Sequence, residues 1–268
     1  MATTNNNYVL GKGEVYFAQF KPGTQTPGGE RYIGDTPELA LTIETQDLDH
    51  FSSDRGIREK DDSTTLEVTR RGNMTCQNID PKNLALFFFG ASSVLAQVVA
   101  TVADEAFNDV EVDHWYQLGV SASNPTGVRE LDIHTAGPPA KNVVIMKAAV
   151  EMVEGTDYEL DMVLARFRPI PGGAIANGDD LTVDYKTKAA TRDHVISGSS
   201  AIEGQLRLIS RNPKGKNYDY TLPWVKLTPN GDFALKGEDW MTIPFNIEAL
   251  RKTGLEAIYL DGRAVAGA

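Results

Sequence analysis

The pattern that most limits what this chain can fold into is the repeated succession of short strand-like runs and strong turn signals. Gly155–Asp161 and Ala165–Arg168 read as two strands, closed by the turn Pro171-Gly172-Gly173-Ala174-Ile175-Ala176-Asn177-Gly178. Val128–His134, Val143–Met146, Tyr158–Leu164 and Leu181–Tyr185 are further short strand candidates. Asn-Pro, Gly-Pro-Pro, Glu-Gly-Thr-Asp, Pro-Gly-Gly and Asn-Gly-Asp-Asp punctuate them. Spacing of this kind predicts a small β-sandwich or barrel-like module, and we place it at residues 104–190 as an insertion.

The flanking sequence alternates with period two over longer runs. In Glu38–Glu44, Leu39, Leu41 and Ile43 point one way, and Glu38, Ala40, Thr42 and Glu44 the other. In Thr64–Cys76, Leu66, Val68, Met74 and Cys76 share one face. Thr65, Glu67, Thr69, Arg71, Asn73 and Thr75 share the other. Ile196–Ser210, Tyr218–Leu227 and Met241–Ile247 continue the strand pattern. Pro244 marks the last as an edge or bulge strand. Residues 1–103 and 191–268 are therefore expected to form one discontinuous, mainly β core.

One short helix is expected. Asp80 caps it, Pro81 occupies its first turn, and Gly90 ends it after Phe89. It begins the stretch Leu84–Ala103, which lacks charge over about the length of a bilayer span. Gly90-Ala91-Ser92-Ser93, Gln97, Thr101 and the absence of basic flanks argue against membrane insertion. The opening Met1–Asn7 reads as a polar arm, without the basic and apolar regions of a secretion signal.

Between the two alternating strands lies Thr45–Ser63, poor in large apolar residues. It carries Asp47, Asp49, Asp54, Arg55, Arg58, Glu59, Lys60, Asp61 and Asp62. It reads as a loop too long for an ordinary hairpin turn. Interleaved charges of both signs suit docking on another charged surface.

Chemistry is hard to find. His50, His114, His134 and His194 show no metal-ligand spacing, and no metal or cofactor is expected. Cys76 lies on an apolar strand face, as an inert thiol would. The glycines lack a phosphate-loop context, and there is no nucleophile elbow. No catalytic residue is assigned. A net charge of −11 repels nucleic acid phosphates, which disfavours a basic nucleic-acid reader.

In the order of its blocks the sequence resembles the major tail tube proteins of long-tailed, non-contractile bacteriophages. The resemblance rests on Gly11-Lys12-Gly13-Glu14-Val15-Tyr16-Phe17, Gly34-Asp35-Thr36-Pro37-Glu38-Leu39, Leu66-Glu67-Val68, and the helix after Asn78-Ile79-Asp80-Pro81-Lys82-Asn83. It continues through the Gly155–Gly178 block, Trp224-Val225-Lys226-Leu227-Thr228-Pro229 and Leu235-Lys236-Gly237-Glu238-Asp239-Trp240. It implies a tail-tube-type β-sandwich or barrel core with a flanking helix, six copies per ring, and rings stacked into a hollow virion tube that conducts DNA without specific binding. It also implies that the charged loop reaches a neighbouring copy. The implied partners are the protein itself, a tape-measure protein, and terminator and tail-tip proteins, with assembly in the host cytoplasm and no membrane. Glu67, Thr69, Arg71 and Asn73 are the expected lumen face. Six copies of −11 put −66 on a ring, though Arg71 would attract phosphate unless paired.

The rival reading is a tail-tip, fibre or cell-surface β-sandwich module that binds glycans. Trp115, Tyr116 and Tyr158 would be its aromatic platform.

Overall fold

In the computed structural model, residues 7–263 are described, except Arg55 and Pro138. The chain divides into two compact units. One runs to Ser93 and resumes at His194; the other is Val94–Asp193. The second unit thus begins ten residues before the expected boundary, because the strand at 100–110 belongs to its main sheet.

The chain begins with β1 (Gly13–Gln19), β2 (Arg31–Tyr32), β3 (Glu38–Ser52) and β4 (Glu59–Cys76), then α1 (Pro81–Phe87). It leaves the first unit on β5 (Ala91–Gln97) and enters β6 (Ala100–Val110). The second unit continues with β7 (Tyr116–Gln117), β8 (Leu131–Asp132), β9 (Val143–Lys147) and β10 (Val150–Glu151). Then come β11 (Tyr158–Asp161), β12 (Arg166–Pro169) and β13 (Asp179–Thr187). The chain returns on β14 (Ala190–Ile196), which pairs with β5, and ends with β15 (Ile202–Ser210), β16 (Tyr218–Pro229), β17 (Ile243–Ala249) and β18 (Tyr259–Gly262). Ile196–Ser210, expected as one strand, is therefore two.

In the first unit a single antiparallel sheet runs β2-β1-β15-β16-β17-β4-β3, with β18 also on β16. It is one sheet, not two stacked ones. It must curl. Only Ile33–Pro37 joins the two edge strands β2 and β3, and so short a link spans at most ~21 Å. Six flat inter-strand spacings need roughly 29 Å. Asn83 fastens the curl: its side-chain amide donates to the carbonyls of Ile33 and Asn78, both at 2.8 Å. Arg31 donates to its Oδ1 at 2.6 Å.

Alternation explains the core. On β17, Ile243, Phe245, Ile247 and Ala249 are buried while Pro244, Asn246 and Glu248 are not. They pack with Val15, Phe17, Met74, Leu206, Leu222 and Leu227. Phe87 of α1 meets Phe245 edge-on. Contrary to expectation, β17 is central, between β16 and β4. Pro244 is tolerated because it lies beyond the last rung toward β16, Pro229–Phe245, where its carbonyl accepts the Asn230 N–H. Pro223 falls at the bulge between β15 and β16.

Asp80 caps α1, accepting the Asn83 N–H at 2.7 Å, with Pro81 at the first helical position. The helix does not end on a left-handed Gly90; Phe89 takes that conformation, at φ 52°. Glycine is required at 90 for space, since a Cβ there would lie 1.8 Å from the Ile196 carbonyl oxygen.

The second unit has two small antiparallel sheets, β10-β9-β13-β6 with β8, and β11-β12-β7. Leu181, Val183 and Tyr185 of β13 join Ile145, Phe167 and Leu118 in its own core. No helix among the described residues is long and apolar enough to cross a membrane.

Candidate assembly surface

Thr45–Ser63 is not a loop. β3 and β4 pair from Glu38 opposite Thr75 to Ser52 opposite Glu59, so that only residues 53–58 form the tip. Hydrophobic periodicity does not report this pairing because neither face of the outer hairpin is buried in the protomer. Cross-strand polar contacts stand in its place. Lys60 meets Asp49 at 2.6 Å, and Ser63 Oγ donates to the same carboxylate at 2.7 Å. These bonds, Lys60 first, hold the Asp49 carboxyl below the usual range. His50 lies 2.6 Å from Asp61. Asp62 accepts the Ser63 N–H at 2.8 Å, and Asp47 faces Thr65. Glu59 closes the ladder opposite Ser52. Asp54 and Arg58 sit in the tip, with the Arg58 guanidinium 5.2 Å from the Phe51 ring centroid. Arg55 lies outside the described residues.

The neighbouring strand supports only the base of the hairpin. β17 reaches Arg71, opposite Glu248, and no farther. From Ile43 and Arg70 outward the two strands have only each other, and β3 is the sheet's edge strand. This outer half carries exposed apolar residues: Ile43 at 62%, Leu66 at 62% and Val68 at 42%. Ile43, opposite Arg70, and Val68, opposite Thr45, continue the face that holds Leu39 and Met74 in the core. The apolar stripe therefore runs out of the core onto open surface. An unpaired edge beside exposed apolar residues is the usual template for another chain.

The opposite face carries the four residues assigned to a lumen. Glu67 lies across from Gln46, Thr69 from Glu44, Arg71 from Thr42 and Asn73 from Ala40. Arg71 is flanked by Glu44, at 3.8 Å, and by Glu248 across on β17. Asn73 donates to Glu38 at 2.9 Å, and Thr69 to Glu67 at 3.0 Å. Carboxylates outnumber the one guanidinium here. Sequence reasoning did not find Glu248, whose place beside Arg71 depends on a pairing between residues distant in the chain.

Of the three aromatic residues expected as a platform, Trp115 alone is exposed. Tyr158 is buried, and burial raises its phenol pKa. Tyr116 stacks on Phe167 at 5.5 Å within the core. Trp115 is exposed at 37% and lies beneath Arg166 and Arg168, whose guanidinium carbons lie 4.3 and 5.4 Å from its ring centroid.

The Gly155–Gly178 block is architectural. Buried Asp157 accepts the Val153 N–H with one oxygen and the Ala174 N–H with the other, both at 2.8 Å. Gly173 is needed because a Cβ would lie 2.8 Å from the Asp157 Cα. Among the described residues no three His, Cys, Asp or Glu side chains gather as a metal site. Cys76 is buried and free, and burial raises its thiol pKa.

The region of the chain that follows a known pattern is nearly all of it, residues 8–257. The chain belongs to the family described as protein of unknown function UCP028589. The match spans both compact units, so the second unit is part of the family's pattern. No curated protein matches the chain.

Proposed function

We propose that this protein is a structural subunit that assembles with copies of itself into stacked rings, forming the hollow tail tube of a long-tailed bacteriophage. The observation that carries the reading is the hairpin of β3 and β4, whose outer half exposes an apolar stripe and an unpaired strand edge. Lateral contact with other copies removes that edge, and ring closure removes it everywhere. Stacking of rings is an open association and makes a fibre.

The other face of the same hairpin suits a DNA conduit. Glu44 and Glu248 flank Arg71, and Glu38 and Glu67 add to the same face, so that with Lys226 opposite Glu248 the carboxylates still outnumber the cations and phosphates meet net repulsion. A tape-measure protein inside the tube, and terminator and tail-tip proteins at its ends, are the partners this role requires. The glycan-binding alternative loses its motivation with Tyr116 and Tyr158 in the core.

Negative-stain electron microscopy of the concentrated protein tests the proposal. Hollow tubes or six-fold rings are the expected outcome. A particle that stays monomeric at every concentration, even with a tape-measure segment supplied as initiator, overturns it.

A further inference from the structure

The connection between β16 and β17 runs from 230 to 242 without regular structure. A loop of that length in a compact unit usually has a function. It is not slack. The Asn230 N–H is held by the Pro244 carbonyl at 3.0 Å, and Phe233 packs on Phe87 at 5.5 Å. Held in this way, the loop presents Leu235 at 78% exposure and Trp240 at 90%. Glu238 and Asp239 stand just before Trp240. An exposed tryptophan on an anchored loop is the side-chain type that dominates binding energy at interfaces.

The same unit has a groove of about 550 Å³, lined by Leu39, Leu206, Leu208, Leu222 and Tyr220 among others. Lys12 and Lys216 also line it, and Asp35 is the one carboxylate of the described lining. The volume is ample for an indole. Tyr220 and Leu222 place this groove toward the start of β16, whereas the Trp240 loop leaves from its end at Pro229. Along β16 the groove reaches Leu222 and the loop begins after Pro229, seven residues and roughly 23 Å farther on.

We infer that Trp240 of one copy inserts into this groove on a second copy, with Glu238 and Asp239 meeting Lys12 and Lys216 at its mouth. A knob and a hole at opposite ends of one strand make a head-to-tail contact that repeats along the strand axis. Such a contact propagates as a stack. The inference rests on the self-assembly reading and supplies its longitudinal contact. The free end of the β3–β4 hairpin points the same way as the groove, because it extends past the Ala249 end of β17 and hence toward the start of β16. One interface can therefore hold both.

The test has three parts. Trp240→Ala should leave the thermal midpoint unchanged and raise the concentration needed for assembly roughly tenfold or more. Benzophenone installed at position 240 should crosslink to peptides carrying Leu206, Leu208 or Tyr220 of a second copy. Lys12→Glu with Lys216→Glu should impair assembly, and adding Glu238→Lys with Asp239→Lys should restore it; this set stands in if Trp240→Ala fails to fold. Tubes from Trp240→Ala at the wild-type concentration, with crosslinks outside the groove, overturn the knob-in-groove contact and leave self-assembly standing. Groove crosslinks in oligomers that never form tubes support the contact and overturn the tube. A monomer without crosslinks overturns both.

Discussion

Lys60 Nζ lies 2.6 Å from Asp49 Oδ1, bridging two strands in a part of the hairpin where neither has any other neighbour. Both side chains are substantially exposed, so the pair contributes little to global stability. Its effect is local, fixing which residues face each other. Lys60→Glu is expected to leave the thermal midpoint of the first unit unchanged while accelerating hydrogen exchange at 43–52 and 59–70. Unchanged exchange there would show that the ladder alone holds the outer hairpin.

Removing the tip tests the role of the hairpin. Deletion of residues 55–61 should leave a folded monomer, because the sheet from Arg71 inward is paired on both sides of β4. Assembly should be lost. Normal tubes from this deletion would refute the hairpin as an assembly element.

Asp157 offers a test confined to the second unit. Asp157→Ala orphans the Val153 and Ala174 amides around a buried position. Together they should cost about 2–4 kcal/mol. Calorimetry should show a lowered transition for the second unit and an unshifted one for the first.

Gly90→Ala should destabilise the first unit, since the added methyl meets a backbone carbonyl, that of Ile196, which has no rotamer by which to withdraw. Phe245→Ala should cost about 3–5 kcal/mol in the same unit through the cavity it opens. A chemical denaturation series on both variants checks the pair, and an unshifted midpoint for Gly90→Ala would refute the steric reading.

The pH dependence has a definite sign. Asp219 accepts Arg263 at 2.8 Å and the Ser210 N–H at 2.8 Å; chiefly the Arg263 bond holds its carboxyl below the usual range. A depressed carboxylate stabilises the fold above its unfolded pKa, and that stabilisation is lost as pH falls through its folded value. Asp219→Asn should therefore be less stable than wild type at neutral pH, with the gap closing in strong acid. A gap independent of pH would assign the loss to hydrogen-bond geometry instead of charge.

The local devices of this chain are written in its sequence. Alternation at Glu38–Glu44 and Thr64–Cys76 marks strands because one face there meets a core. Asp80-Pro81 marks the helix start because capping is a contact within one turn. The Gly155–Gly178 block marks its turns because a positive φ demands glycine, at Gly155, Gly172 and Gly178.

What only the tertiary structure decided depends on partners far apart in the chain. Residues 45–63 read as a loop because neither face of their pairing is buried, and ladder hydrogen bonds leave no trace in hydrophobic period. Pro244 signals an edge, yet sits in a central strand because β16 happens to end beside it. Tyr116 and Tyr158 look like a platform until the core forms around them. The pairing of Glu248 with Arg71, and the placing of Trp240 and the Tyr220 groove at opposite ends of β16, are set by sheet order, which local propensity does not encode.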